Sequence, residues 1–207
     1  FLLILLVWYL AYRWPVIAII FIALAIWLST SSLFEIYQLA LINLKKKKTF
    51  VIPLKTVSQA LAHFGIAILI IGATGTSILK KENIQFQEVG EAISTSGYEV
   101  KFMGVSKEIG TNYKSDYAKF ELYKNGELVS VLNPEKRIYN FGKQVTTEAA
   151  IHSTLLGDIY ISIGDNNSGL WTTRIWFNPY TIWIWLGVLF MFIGGLISLK
   201  RSFKELK

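Results

Sequence analysis

The 207-residue sequence has no cysteine, two histidines and four prolines, and long stretches of it carry no charge. Without cysteine there is no disulfide framework, no thiolate metal site and no cysteine nucleophile. The missing charge is localised. Residues 1–44 and 55–79 contain only Arg13, Glu35, Lys55 and His63 among acidic, basic and histidine side chains, and residues 175–199 contain none. With 53% hydrophobic and 17% charged residues overall, runs of this kind are membrane spans and not the core of a soluble domain.

The net charge of +7 is not the footprint of a nucleic-acid binder. Residues 80–174 hold eleven Lys/Arg against twelve Asp/Glu, so the positive excess lies beside the apolar runs. Lys45 to Lys48 with Lys55, and Lys200, Arg201, Lys204 and Lys207, mark two cytoplasmic flanks. Lys80 and Lys81 on the other side are too few to reverse the assignment. The acid-rich middle is then expected outside the membrane.

Six segments are expected. Residues 1–44 are transmembrane helices, the first truncated, because about 12 apolar residues span only about 18 Å. Residues 45–55 form a basic cytoplasmic loop and 56–79 a transmembrane helix containing His63. Residues 80–176 form a β-rich domain, 177–200 a last transmembrane helix and 201–207 a cytoplasmic tail. Trp171, Trp176, Phe177, Tyr180, Trp183 and Trp185 suggest an interfacial aromatic belt at the entry to that last helix.

Within the middle region, Tyr98–Phe102 and Tyr117–Tyr123 alternate with period two, and Asn125-Gly126 is a strong hairpin signal. Leu128 to Leu132 should pair back, and Asp158 to Ile163 reads as another strand. The fold class is therefore a membrane protein with α-helical spans and an inserted small antiparallel β domain, barrel or sandwich, outside the membrane. Asn133–Arg137 reads as a charged turn after a strand. Thr146-Thr147-Glu148 reads as a helix-capping arrangement, with Ala149–Ile151 beginning a helical turn.

His63 is the main candidate for chemistry, since an ionisable residue inside a span is costly and marks function by default. Small neighbours surround it in sequence, among them Ser58, Ala62, Gly65 and Gly72, and these admit a second helix or a flat cofactor. The residues leave open a haem-iron or metal ligand, a proton relay, or a neutral imidazole bonded across a helix interface. His152 falls in the β region and reads as an ordinary surface residue. No catalytic residue is assigned. Glu135, Arg137 and Glu148 are candidates for docking a partner, the alternative being that the charges of residues 133–137 form a salt-bridged brace for Thr146-Thr147-Glu148.

Five segments in order resemble a known family: Ala62-His63-Phe64-Gly65, Pro134–Arg137, Thr146–Ile151, Gly157–Tyr160 and Trp183–Gly187. Together they resemble the C-terminal third of CcmF, the large membrane subunit of the system I cytochrome c haem lyase, over about residues 55–200. The resemblance implies haem lyase chemistry: haem received from the chaperone CcmE is attached to the CxxCH motif of apocytochrome c. The family's tryptophan-rich haem-handling motif does not occur in these residues, so any enzymatic activity would belong to the lyase complex. The resemblance further implies a structural haem b in the membrane, with His63 as one axial ligand of its iron and the second supplied from outside this sequence. Expected partners are the remainder of CcmF, CcmE, a CcmH-type thioredoxin-like subunit and apocytochrome c, with quinol as electron source. The expected location is a bacterial inner membrane with the β domain in the periplasm, or a mitochondrial inner membrane with it in the intermembrane space. The competing class is a helical subunit of a membrane transporter, with His63 as its proton or substrate site.

Overall fold

The computed structural model describes residues 15–45 and 53–205. The first apolar run up to Trp14, the lysines 46–48 and the last two residues of the tail lie outside the described residues. The chain divides into a helical unit and a β unit, residues Leu79–Pro179.

The helical unit contains α1 (Val16–Lys45), α2 (Leu54–Leu79) and α3 (Thr181–Glu205). All three are long and apolar enough to cross a membrane. Helix α1, with 30 residues, would extend about 45 Å. It runs unbroken through its polar stretch because the hydroxyls of Thr30, Ser31 and Ser32 donate to the carbonyls of Ile26, Trp27 and Leu28 one turn back. Polar side chains are thereby satisfied within the apolar helix. Ser32 is also buried, in a groove between α1 and α2 lined by Leu33, Ile36, Val57, Ala60, Leu61 and Phe64.

Helix α2 meets α3 through small residues. A Cβ added at Gly65 would lie 2.6 Å from the Gly187 carbonyl oxygen, and one at Gly187 would lie 2.6 Å from that of Gly65. A Cβ on Gly194 would come within 2.8 Å of the Ser58 carbonyl. The two backbones touch, which is the association mode open to helices that gain nothing from hydrophobic burial in lipid. Phe64 and Phe190 add an edge-to-face contact with centroids 5.9 Å apart.

The β unit is a sandwich of two antiparallel sheets, in agreement with the fold class read from the sequence. One sheet has the order β1 (Lys81–Gln87), β10 (Leu170–Pro179), β9 (Gly157–Asn167), β8 (Ala150–Thr154). The other has β2 (Ala92–Thr95), β3 (Tyr98–Ile109), β4 (Tyr113–Lys124), β6 (Glu135–Tyr139) and β7 (Val145–Glu148), with β5 (Glu127–Leu132) also on β4. Alternate residues of β3 and β4, Val100, Phe102, Phe120 and Leu122, meet Ile159, Ile161, Ile163 and Ile175 of the opposing sheet. Phe102 and Phe120 are register partners, stacked with centroids 5.0 Å apart. Asn125 and Gly126 turn β4 into β5 with φ of 52° and 82°, the paired positive angles of a tight hairpin.

Three readings of the sequence are corrected. Residues 135–137 are not a loop but the start of β6. β4 is long enough to take two partners on one edge, β5 along its second half and β6 along its first. The chain jogs between them at Asn133-Pro134, where Asn133 Nδ2 donates to the Ala118 carbonyl at 3.1 Å and the Ala118 N–H donates to the Pro134 carbonyl at 3.0 Å. Nor do Thr146–Ile151 open a helix. They form β7 and β8 on different sheets, with Ala149 as the crossing residue, because β-branched residues on both sides find ladder partners. Finally, Trp171 packs against the sandwich core. It lies eight residues before Pro179 in β10 and serves the core of the β unit, not the entry to the last helix. β10 carries the sheet to Pro179, and α3 begins at Thr181 where a start at 177 was expected.

Replacing Gly187 with alanine should destabilise the membrane-inserted protein by about 1–3 kcal/mol through overpacking. The same change at Gly195, where an added Cβ meets nothing within 4 Å, should leave the thermal midpoint unchanged or higher. Thermal unfolding in detergent or nanodiscs reads both.

Candidate functional site in the membrane helices

His63 stands nine residues into α2, about 13 Å along the axis from Leu54. Two faces of α2 are spent on its neighbours. Ser58, Gly65 and Gly72 are buried on the α3 side. Val57, Ala60, Leu61 and Phe64, and further along Ile70, Ala73, Thr74 and Ser77, line grooves against α1. His63 lies on neither face. It is exposed, in a strip with Gln59 and Ile66 at the i, i+4, i+7 spacing of one helix side. An imidazole at membrane depth, flanked by an apolar residue and open to approach, fits the donor chemistry of an axial haem ligand.

His63 is the one histidine of the described helices. No group of three or more His, Cys, Asp or Glu that could hold a metal ion occurs among them. His152 is on β8, half-buried, with its ring 6.3 Å from that of Tyr98 in an edge-on contact between the two sheets. That contact gives it a packing role.

The structure brings Glu135, Arg137 and Glu148 together on β6 and β7. Glu135 is the register partner of Glu148, and Arg137 of Thr146. Arg137 binds Glu135 with both arms, Nε to Oε2 and Nη2 to Oε1, each at 2.9 Å. Its guanidinium also stands 4.5 Å from the centre of the Tyr113 ring. Thr146 Oγ1 donates to Glu148 Oε1 at 3.0 Å. The Arg137 fork holds the Glu135 carboxyl below its ordinary value, the hydrogen bonds outweighing the opposing effect of burial. The adjacent Lys136 instead reaches across to Asp165 on the opposite sheet and lowers that carboxyl's pKa as well. The salt-bridged brace expected to reach Thr146-Thr147-Glu148 forms instead within β6, between Arg137 and Glu135, because nothing in a run of three charges says which partner each one takes.

Three membrane-type helices with a β-sandwich inserted between the second and third define an integral membrane protein carrying a discrete extramembrane domain. Residues 78–179 match the family described as the CcmF C-terminal beta-sandwich. The chain is 33% identical over 195 residues to the cytochrome c-type biogenesis protein ccl1 of Rhodobacter capsulatus, covering 94% of this chain and 30% of that protein. It is 32% identical over 174 residues to CcmF of Haemophilus influenzae, covering 81% of this chain and 26% of that one. A solved structure of the cytochrome c heme lyase CcmF shares the fold with a TM-score of 0.69 at 18% identity, over 95% of this chain and 33% of that one. The chain belongs to the CcmF family and corresponds to its C-terminal region, spanning about a third or less of the length of these relatives.

The Glu135–Arg137 pair makes a pH prediction. Because the Glu135 pKa is depressed in the folded state, the pair's stabilisation is fully present above the ordinary carboxyl value of 4.5 and is lost as pH falls through the lowered one. Glu135→Gln should therefore cost about 1 kcal/mol at pH 7. In denaturant titrations followed by tryptophan fluorescence, the gap from wild type should narrow as pH falls below 4.5 and close once the lowered value is passed.

Proposed function

We propose that this chain is the C-terminal part of a cytochrome c haem lyase and that His63 is one axial ligand of a haem b within the membrane. The observation that carries the reading is the placement of His63. Helix α2 commits its small residues to α3 and a second face to α1, and presents its histidine on the strip that the described helices leave exposed. A polar ring at membrane depth is costly unless something binds it. The relatives named for cytochrome c biogenesis, and the fold neighbour named as a haem lyase, supply the chemical context.

His63 would offer one ring nitrogen to the iron, and its other nitrogen requires a hydrogen-bond acceptor to fix the tautomer. Gln59 and Ile66 flank it on the same exposed side of the helix. When bound, haem b supplies one-electron carriage, which on this reading links quinol to the substrate haem. The second axial ligand would come from the remainder of CcmF.

The β domain would then lie in the periplasm, or in the intermembrane space if the protein is mitochondrial. The face carrying Glu135, Arg137 and Glu148 would be where CcmE, the CcmH-type subunit or apocytochrome c docks. Arg137 is already held by Glu135, so the clamp would act as a stiff platform and not as a free cation reaching for an acidic partner.

The test is the reduced-minus-oxidised visible spectrum of the purified parent assembly, wild type against His63→Ala at matched protein. The b-type signal should fall to background in the variant while the protein stays folded and membrane-inserted. An unchanged spectrum would return His63 to helix packing. Absence of haem from both samples would favour the transporter reading.

A further inference from the structure

Between Lys55 and Ile70 the exposed residues of α2 are Lys55, Gln59, His63 and Ile66. Steps of four, four and three residues keep all of them on one side of the helix. Along that side the chemistry is graded: an ammonium, an amide, an imidazole, then a hydrocarbon. Beyond Ile66 the helix turns this side towards α1, since Ile70, Ala73 and Ser77 line a groove with Ile17 and Phe21. The open stretch therefore has a polar end at Lys55 and an apolar end at Ile66. Among the described residues, the side chains of Lys55 and Gln59 have no hydrogen-bond or ion-pair partner.

His63 is also off-centre in its helix. It lies about 13 Å along the axis from Leu54 and about 24 Å from Leu79. A bound group that carries carboxylates can direct them along α2 either way, and desolvation decides between the two, because an unpaired carboxylate in hydrocarbon is very costly to bury. The shorter way out runs past Gln59, about 6 Å from His63 along the axis, and then Lys55, about 12 Å from it. Gln59 brings an N–H donor for a carboxylate oxygen, and Lys55 brings three donors and a positive charge. The longer way passes Ile66, Ile70 and Ala73, none of which can pair with an anion.

We infer that Lys55 and Gln59 receive the propionate carboxylates of the haem that His63 ligates, so that these arms point towards the Leu54 end of α2. The inference rests on His63 being an axial ligand and adds to it the direction of the group and the two residues that fix it. Lys55 and Gln59 are positioning residues in this role: the ammonium neutralises charge, and the amide sets the angle at which a carboxylate is held. The chemistry recognised is a flat apolar ring with acidic arms on one edge. A ring without those arms would satisfy His63 and leave Lys55 and Gln59 unmatched.

The test compares haem b with its dimethyl ester, whose carboxylates are blocked. The parent assembly is produced in cells that make no haem and are supplied with one or the other, and occupancy is read from the Soret band at matched protein. Wild type should take up haem b over the ester by about tenfold or more, the scale of hydrogen bonds to a charged group. In the Lys55→Met, Gln59→Leu double variant that ratio should fall towards one while the bound haem keeps the wild-type spectrum, and Lys55→Arg should retain the preference. In the haem b form, Lys55→Met and Gln59→Glu should each shift the midpoint potential to more negative values, because a cation beside the propionates disfavours the ferric state. An equal uptake of the ester by wild type, or a full preference for haem b in the double variant, would overturn the inference and leave His63 as a ligand. A His63→Ala assembly that still shows the wild-type spectrum would remove the ligand itself, and this inference with it.

Discussion

The contact between α2 and α3, backbone against backbone through Gly65, Gly187 and Gly194, is the interaction on which the rest of the helical unit depends. In a bilayer, helices associate by close packing and not by escape from water, so the fit of small residues sets which face of α2 is used up. The groove with α1 uses a second face. What remains is the narrow strip bearing Gln59, His63 and Ile66. The glycines therefore fix where the only intramembrane histidine of this sequence can be reached from.

The β unit obeys a different constraint. Its first and last strands, β1 and β10, are hydrogen-bonded neighbours from Lys81–Phe177 onward, so the chain enters and leaves through one adjacent pair. The remaining strands pack a continuous core between the two sheets, with Phe102 and Phe120 opposite a row of isoleucines. Burial of each such side chain is worth about 1.5–3 kcal/mol, enough to give the domain its own stability between two spans. Charged groups then pin the sheets at particular points: Arg137 holds Glu135 within one sheet, and Lys136 reaches Asp165 on the other. Alternation along β6 sends neighbouring charges to different duties, one towards Tyr113 and one across the sandwich.

Function on this view is divided along the same line. The helices offer a ligand and hold it at depth, while the sandwich offers shape and rigidity outside. Strand β10 serves the sandwich core through Trp171 and Ile175 and carries Trp176 to the cluster with Tyr160 and Lys80. That dual use explains why tryptophans counted together in the sequence separate in the structure. Trp171 closes the core, whereas Trp176 meets Tyr160 and Lys80.

Sequence alone determined the features that local chemistry dictates. Uncharged runs announce the helices because charge in hydrocarbon is costly, alternation at Tyr98–Phe102 and Tyr117–Tyr123 announces strands, and Asn125-Gly126 announces its hairpin because few residues accept two positive φ angles. The isolation of His63 in an apolar run was legible for the same reason. What only the tertiary structure decided were the choices among partners. Thr146–Ile151 has the letters of a helix cap and becomes two strands because ladders on two different sheets are available to it. Residues 135–137 look like a loop and become β6 because β4 is long enough to accept a second strand beyond the Asn133-Pro134 jog. Which side of α2 His63 occupies depends on where two other helices lie, and no property of residues 59–66 by themselves encodes that.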